Sequence, residues 1–209
     1  MPHRTDSDAS AHQDESDRNA ARLSKFLALV LRHRAFQFDL RLDDEGFVPV
    51  DELLEVIHEQ GLDWVTEDDL AQVGSDHVRK RFEIVDGKIR ATYGHSFRKP
   101  IRYTEIDPPE FLFAGMAKNK STLARSNGLK PDGRQYVHLT DTHEEAMAVG
   151  SRADQEGDVV VVLAKQAAEA GIPFHKPTSG LFLSPAIPSK FIEVKMEFGR
   201  RARRKGRRR

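Results

Sequence analysis

The sequence predicts an α+β protein with an N-terminal lobe of helices and a C-terminal lobe rich in strands. Two observations support this fold class. An apolar stripe with helical spacing and a sharp hairpin signal occupy the first hundred residues. Beyond residue 110, short apolar runs alternate with Gly and Pro, a pattern typical of short strands joined by loops.

The composition indicates a globular protein without metal or disulfide chemistry. The 209 residues are 38% hydrophobic and 32% charged, enough for one or two domains. No apolar run approaches the roughly 20 residues of a membrane-spanning helix, so we expect a cytoplasmic monomer. The chain has no cysteine and no histidine pair at zinc-binding spacing, so no metal site is predicted.

The zero net charge conceals two tails of opposite sign. Residues 1–19 are acidic and lack periodicity, so the sequence predicts a disordered tail there. Residues 199–209 hold eight Arg or Lys and no acid. This second tail, also predicted to be disordered, is either RNA-binding or a solubilising segment with weak, nonspecific affinity for phosphate.

The N-terminal lobe is predicted over residues 20–97. Its first helix is marked by an apolar stripe of Leu23, Phe26, Leu27, Val30 and Leu31. Asp51 is predicted to cap a second helix that ends near Gly61, and Thr66 to begin a third. Two alternating runs, 81–85 and 88–93, flank Asp86-Gly87, which predicts a type I′ hairpin. Three helices followed by a two-stranded wing favour a winged-helix-like lobe.

The C-terminal lobe is predicted over residues 110–198, after a Pro-rich linker at 98–109. Helices are predicted at 121–127 and, from the capping box of Thr142 and Glu145, at 142–152. Strands are predicted at 111–114, 136–139, 159–163, 180–183 and 190–196.

Basic side chains occupy several positions where the local pattern does not require them. Arg32 and His33 end a helix, Arg90 lies on the second hairpin strand, and Arg152 ends a later helix. The strand of Arg90 runs into Gly94-His95-Ser96, which makes this stretch a candidate anion site. Each residue alone is more often a solvated charge, and His95 and Ser96 are equally compatible with a purely structural turn.

Together with their neighbours, these residues resemble a known family. The runs concerned are Leu23–Leu27, Leu31–His33, Gly46–Leu54, Arg81-Phe82, Ile89–Ala91, Gly94–Ser96, Gly128-Leu129, Val137–Leu139, Gly150–Arg152 and Gly180–Leu183. They are similar, in order, to motifs of the NAD-dependent RNA 2'-phosphotransferases of the KptA family. The resemblance covers about residues 20–195.

The resemblance implies a winged-helix-like RNA-binding lobe joined to an ADP-ribosyltransferase-like NAD-binding lobe. In that family the 2'-phosphate of a tRNA-like RNA attacks the nicotinamide-bearing ribose carbon of NAD and expels nicotinamide. The neighbouring ribose hydroxyl then attacks phosphorus. The products are RNA with a 2'-hydroxyl and ADP-ribose 1'',2''-cyclic phosphate.

The resemblance also implies roles for individual residues. The catalytic set is Arg32, His33, Arg90 and Arg152. The set that binds RNA or phosphate is Arg32, His33, Arg90, His95 and Ser96. The set that binds NAD is Phe113, Gly115, Gly128, Leu129, His138 and Leu181. Guanidinium groups suit this chemistry because they bind phosphate oxygens bidentately and stay charged.

The chain departs from the family pattern on the NAD side. Phe113-Ala114-Gly115-Met116 stands where the family usually has an aromatic residue followed by His-Gly-Thr. An alternative hypothesis is therefore a divergent member that binds 2'-phosphorylated RNA or phosphate without efficient NAD turnover. A third hypothesis, a winged-helix DNA regulator, is disfavoured because residues 21–198 carry a net charge of minus five.

Overall fold

A computed structural model of the chain describes residues 6–74, 80–153 and 156–193. It mixes helices with two antiparallel sheets, as the predicted α+β class requires. The chain divides into two compact units. The N-terminal unit contains the described residues up to Tyr103 with Gly133–Gln135 and Pro177–Ser179, and the C-terminal unit contains the other described residues.

Helix α1, Asp6–Leu29, begins the N-terminal unit. It runs directly into a π-helical turn, Val30–Arg34, and a 3-10 turn, Ala35–Phe38. The prediction of disorder was wrong for residues 6–19, which are helical. Residues 14–18 are exposed, so these turns have no buried stripe that a periodicity argument can detect.

Two shorter helices follow. Helix α2, Val50–Glu59, has Pro49 and not Asp51 at its N-cap, so the predicted cap was wrong by two residues. Asp51 lies in the first turn, where its charge suits the positive end of the helix dipole. Helix α3, Glu67–Gly74, begins after Thr66 as predicted.

The predicted hairpin is confirmed. Strand β2, Phe82–Val85, pairs antiparallel with β3, Lys88–Ala91. Asp86 and Gly87 have φ values of 49° and 71°, the left-handed conformation that a type I′ turn requires at both positions. Strand β1, Val48–Pro49, pairs with the other edge of β3. Buried Leu27, Ile57, Phe82 and Ile89 help to form the core between this sheet and the helices.

The C-terminal unit is built on a six-stranded sheet with the order β7-β8-β5-β4-β6-β9. Its strands are β4 Leu112–Ala117, β5 Val137–Thr140, β6 Gly157–Val162, β7 His175–Thr178, β8 Leu181–Ser184 and β9 Ile192–Glu193. Its helices are α4 Lys118–Asn127, α5 His143–Ala153 and α6 Ala164–Glu169. The sequence predicted neither α6 nor β7.

The sheet carries a hydrophobic core on each face. Phe113 and Val161 pack with Ala146 of α5 on one face. Leu112 and Val160 share the other face with residues of α4 and α6. In the parts of the chain that the structure describes, no helix is long and apolar enough to span a membrane.

Three other predictions fall partly or wholly outside these elements. The predicted linker 98–109 is mostly exposed, but it contains buried Ile101 and Pro108 and a β-bridge between Glu105 and His175, so it is anchored at these points. In the predicted strand 190–196, a 3-10 turn, Ser189–Phe191, precedes β9, and residues 194–196 lie outside the described residues. The predicted basic tail also lies outside them.

Candidate functional site

Arg32 lies where α1 has passed into its π-helical turn. Its guanidinium carbon is 4.7 Å from the centre of the Tyr93 ring and 5.6 Å from that of Phe82. Its Nη2 donates to the carbonyl of Arg81 at 3.5 Å. Its Nε is buried and has no hydrogen-bond partner among the described residues. Arg32 is therefore a partly desolvated cation with an unsatisfied donor, which an anion would stabilise.

The absence of a side chain at Gly94 leaves room for the Arg32 side chain. Gly94 has a φ of +90°, and a Cβ at this position would lie 3.3 Å from Arg32 Cδ. Two residues further on, the Ser96 amide donates to the Arg32 carbonyl at 2.9 Å. The Gly-His-Ser turn is therefore attached to the end of the first helical segment.

His33 completes this contact. Its Nδ1 and the Ser96 hydroxyl are 2.8 Å apart in a hydrogen bond. Burial lowers the pKa of His33, and the positive charges of Arg32, Arg134 and Arg34 lower it further. The imidazole is therefore neutral at pH 7, and the bond to Ser96 leaves Nε2 to meet a ligand.

Two arginines that the sequence analysis assigned to no site extend this positive region. Burial lowers the pKa of Arg32, the charge and the hydrogen bond of Tyr93 raise it in part, and the charges of Arg81 and Arg134 lower it further. Arg32 nevertheless stays charged, because an arginine in a protein does not lose its proton at neutral pH. Arg81 precedes the buried Phe82 in the hairpin, and Arg81-Phe82 is one of the runs that resemble the family, so the sequence contained a signal for Arg81. Arg134 lies in a distant segment of the chain, and no sequence signal pointed to it.

Arg90 lies in a different environment from Arg32. Its Nε and Nη2 donate to the same Glu83 carboxylate oxygen at 2.9 and 2.6 Å, and its Nη1 donates to the Glu45 carbonyl at 3.2 Å. Its guanidinium carbon is 4.3 Å from the centre of the Phe47 ring. Burial alone would raise the pKa of Glu83, but the bonds from Arg90 and Lys80 outweigh it and lower this pKa. The charge of Arg90 is therefore largely paired.

His95 is buried and contacts Tyr103 and Phe97. It is 2% exposed, its Nδ1 is 3.2 Å from the Tyr103 hydroxyl in a hydrogen bond, and its ring meets Phe97 edge-on at 5.4 Å. The structure thus joins Arg32, His33 and Ser96 and gives His95 a place in the packing of the turn.

Arg152 belongs to the C-terminal unit. It lies in the last turn of α5, is exposed, and donates from Nε to the Ala148 carbonyl at 3.1 Å. The helix that carries it packs tightly on the sheet. A Cβ on Gly115 would lie 1.7 Å from the Ala146 carbonyl oxygen, so only glycine fits beneath α5.

The other positions predicted to contact NAD are buried or half-buried, and each has contacts within the C-terminal unit. A Cβ on Gly128 would lie 2.4 Å from the Ile187 carbonyl oxygen, and Leu129 and Leu181 are each 5% exposed. Phe113 is buried and meets the His143 ring edge-on at 5.9 Å. His138 is half-buried and bonds the Tyr136 carbonyl through Nδ1 at 3.0 Å.

Ala114, the departure from the family pattern, is buried on the sheet face that packs against α4 and α6. Its side chain lies with Leu112 and Val160. An alanine therefore fits the local core at this position.

The fold and the cationic site define a two-unit α+β protein with a cluster of positive charges around Arg32. A family model described as "RNA 2'-phosphotransferase, Tpt1 / KptA family" matches residues 18–186. The chain therefore belongs to the Tpt1/KptA family.

Similar proteins come from several bacteria. A protein of Acetivibrio thermocellus named "Probable RNA 2'-phosphotransferase" is 40% identical over 173 residues, which cover 82% of this chain and 95% of the relative. Proteins of the same name from Bacillus thuringiensis and Pectobacterium atrosepticum are 38% and 37% identical. These matches each cover 82% of this chain and, in turn, 94% and 96% of the relatives.

Proposed function

We propose that the protein is an NAD-dependent RNA 2'-phosphotransferase. It transfers the 2'-phosphate of a tRNA-like RNA to NAD and yields nicotinamide, ADP-ribose 1'',2''-cyclic phosphate and RNA with a 2'-hydroxyl. Family membership supports the reaction class. The observation that carries the proposal for this chain is the joining of Arg32, His33 and Ser96 in one positively charged site.

The site suits a dianionic phosphate. Arg32 is partly removed from water, so its attraction for an anion is screened less than that of a surface arginine. We infer that Arg81 completes the phosphate-binding set, because it adjoins Arg32 while Arg90 is paired with Glu83. His33, neutral and oriented by Ser96, donates a hydrogen bond to the phosphate or moves a proton. The catalytic role of Arg152 stays a prediction, whereas for Arg90, which is paired with Glu83, we propose a mainly structural role.

NAD supplies the electrophilic ribose carbon that accepts the phosphate. Most of the positions predicted to contact NAD have a structural role in the unit that would bind it. Gly115 and Gly128 let backbone segments approach closely, and Leu129 and Leu181 fill the core. Phe113 and His138 also have contacts within their own unit, so direct contacts of these six positions with NAD stay predictions.

We also propose the two lobe types. Three helices and a hairpin wing over residues 20–97 favour a winged-helix-like, RNA-binding lobe. A six-stranded antiparallel sheet with helices on both faces favours an ADP-ribosyltransferase-like lobe over residues 110–198.

Turnover tests this proposal. The protein is mixed with NAD and an RNA carrying one internal 2'-phosphate, and nicotinamide release and loss of phosphate are measured. Arg32→Ala and Arg81→Ala should each lower kcat/KM about 100-fold, since one donor to a developing charge contributes about 2.7–4 kcal/mol. Leu123→Ala, on the exposed surface of α4, is the matched control. A folded wild-type protein that releases no nicotinamide contradicts the proposal.

A second candidate function rests on Ala114, which offers no side-chain hydrogen bond to a dinucleotide. It is a member of the family that binds 2'-phosphorylated RNA without efficient NAD turnover. Heating the protein with NAD separates the two. A melting temperature that rises with NAD concentration supports the enzyme, and one that stays constant supports the binding protein.

A further inference from the structure

A cavity of about 480 Å³ lies between helices α1 and α3 of the N-terminal unit. Helix α1 contributes Asn19 and Ser24 to its lining, and α3 contributes Gln72. Trp64, from the loop before α3, and Arg81, before β2, also line it. Its volume is within the range of about 300–1,000 Å³ that is common for sites of small organic ligands.

The cavity adjoins the phosphate site. Arg81 lines the cavity, and its carbonyl accepts a hydrogen bond from Arg32 Nη2 at 3.5 Å. All of these residues belong to the N-terminal unit. A ligand in the cavity therefore contacts Arg81, which is hydrogen-bonded to Arg32, the residue that we assign to the 2'-phosphate.

The lining favours a planar, uncharged heterocycle over a phosphate. Trp64 is 37% exposed and provides a large aromatic surface, while Asn19 supplies an amide and Ser24 a hydroxyl that both donate and accept hydrogen bonds. The carboxylates of Asp17 and Asp69 also line the cavity, and Asp69 Oδ2 accepts hydrogen bonds from the Thr66 amide and hydroxyl at 2.8 and 2.6 Å. The negative charges of these two carboxylates would repel a phosphate inside the cavity.

We propose that the cavity binds one unpaired base of the substrate RNA, next along the strand to the nucleotide whose 2'-phosphate lies at Arg32. Trp64 stacks on this base, and the side chains of α1 and α3 contact its edge. Single-stranded RNA is commonly bound in this way, by stacking unpaired bases on aromatic side chains. The inference rests on the proposed function and adds a site that selects RNA over a free 2'-phosphorylated nucleotide.

Trp64 is the only tryptophan of the chain, so it reports directly on the cavity. The full-length protein is titrated with a short RNA carrying one 2'-phosphate, and tryptophan emission is followed. We expect quenching with this RNA. An RNA with abasic residues on both sides of the 2'-phosphorylated nucleotide should bind about tenfold more weakly and leave the emission unchanged. NAD alone should also leave it unchanged.

Variants at Trp64 supply an independent measurement. Trp64→Ala should bind the 2'-phosphorylated RNA about tenfold more weakly than wild type, and its affinity for a 2'-phosphorylated mononucleotide should not change. Trp64→Phe keeps an aromatic face and should recover most of the affinity. Leu123→Ala is the control for loss of an apolar side chain elsewhere.

The outcomes separate this inference from the proposed function. Equal affinities of wild type and Trp64→Ala for the RNA, or equal quenching by intact and abasic RNA, overturn the inference and leave the proposed function standing. Quenching by NAD alone overturns it in favour of a dinucleotide in the cavity. A wild-type protein that neither binds nor processes 2'-phosphorylated RNA overturns both. If Trp64→Ala does not fold, Trp64→Phe and the abasic RNA decide the matter.

Discussion

Replacing Arg90 by alanine distinguishes a structural role from a catalytic one. Arg90 makes two bonds to the carboxylate of Glu83, and the two side chains are only 21% and 23% exposed. Hydrogen bonds between charged groups contribute about 1.5–3 kcal/mol, and the Phe47 contact adds about 0.5–1 kcal/mol. We expect Arg90→Ala to lower the free energy of unfolding by about 2–3 kcal/mol, because it also leaves the Glu83 carboxylate half-buried beside Lys80 alone.

Two measurements on the same variant test this expectation. Thermal unfolding followed by circular dichroism should show a melting temperature lower by about 4–12 °C, since 1 kcal/mol shifts it by about 2–4 °C in a protein of this size. Transfer activity, assayed well below that temperature, should remain within about threefold of wild type. Glu83→Gln, which removes the same charge pair from the other side, should destabilise the protein in the same direction.

The opposite pattern would refute this reasoning. If Arg90→Ala melts within about 1 °C of wild type and has lost its activity, the ion pair contributes little to stability. Arg90 would then act on the substrate, as its sequence motif predicted.

Two further predictions concern the C-terminal sheet and the titration of His33. Gly115→Ala should lower the free energy of unfolding by at least about 1–3 kcal/mol, and the urea midpoint with it, because its Cβ would meet the Ala146 carbonyl oxygen at 1.7 Å. Gly74→Ala is the control, because a Cβ on Gly74 would lie 3.9 Å from its nearest atom, and it should leave the midpoint unchanged. Equal effects of the two substitutions would contradict the close packing of α5 on Gly115. The folded-state pKa of His33 is lowered. Stability should therefore fall as the pH drops below about 6.5, the usual pKa of histidine, because the unfolded chain binds a proton that the folded chain does not. His33→Gln should flatten this part of the stability profile, and an unchanged slope in urea titrations at several pH values would count against it.

Local signals in the sequence predicted the hairpin and its turn correctly. Asp86-Gly87 lies between two alternating runs, and a two-residue turn fixes the pairing of its own flanking strands. The extent of α1 was underestimated because its first turns have no apolar stripe. The short strand β7 was missed because it contains a proline and depends on pairing with β8 and with Glu105, which is distant in the chain.

The cationic site around Arg32 could be predicted only in part. Arg32, His33 and Ser96 were proposed together, and the structure joins them. Arg90 was placed with them because it matches the family's motif and because its strand leads into the Gly-His-Ser turn. Successive residues of a strand point to opposite faces, however, and Arg90 lies opposite Glu83 in the register of the hairpin. Such a cross-strand partner competes with a substrate for the guanidinium group.

The sequence by itself determined the α+β class, the hairpin, the family and the arginine and histidine at the end of the first helical segment. These features depend on local periodicity, turn conformation and motifs that lie within a few residues of one another. Only the tertiary structure decided which cations share a site. It brought Arg81 and Arg134 to Arg32, paired Arg90 with Glu83, and formed a cavity lined by Trp64 beside them. Electrostatic and packing partners depend on distance in space, and residues far apart in the chain meet only once the fold has formed.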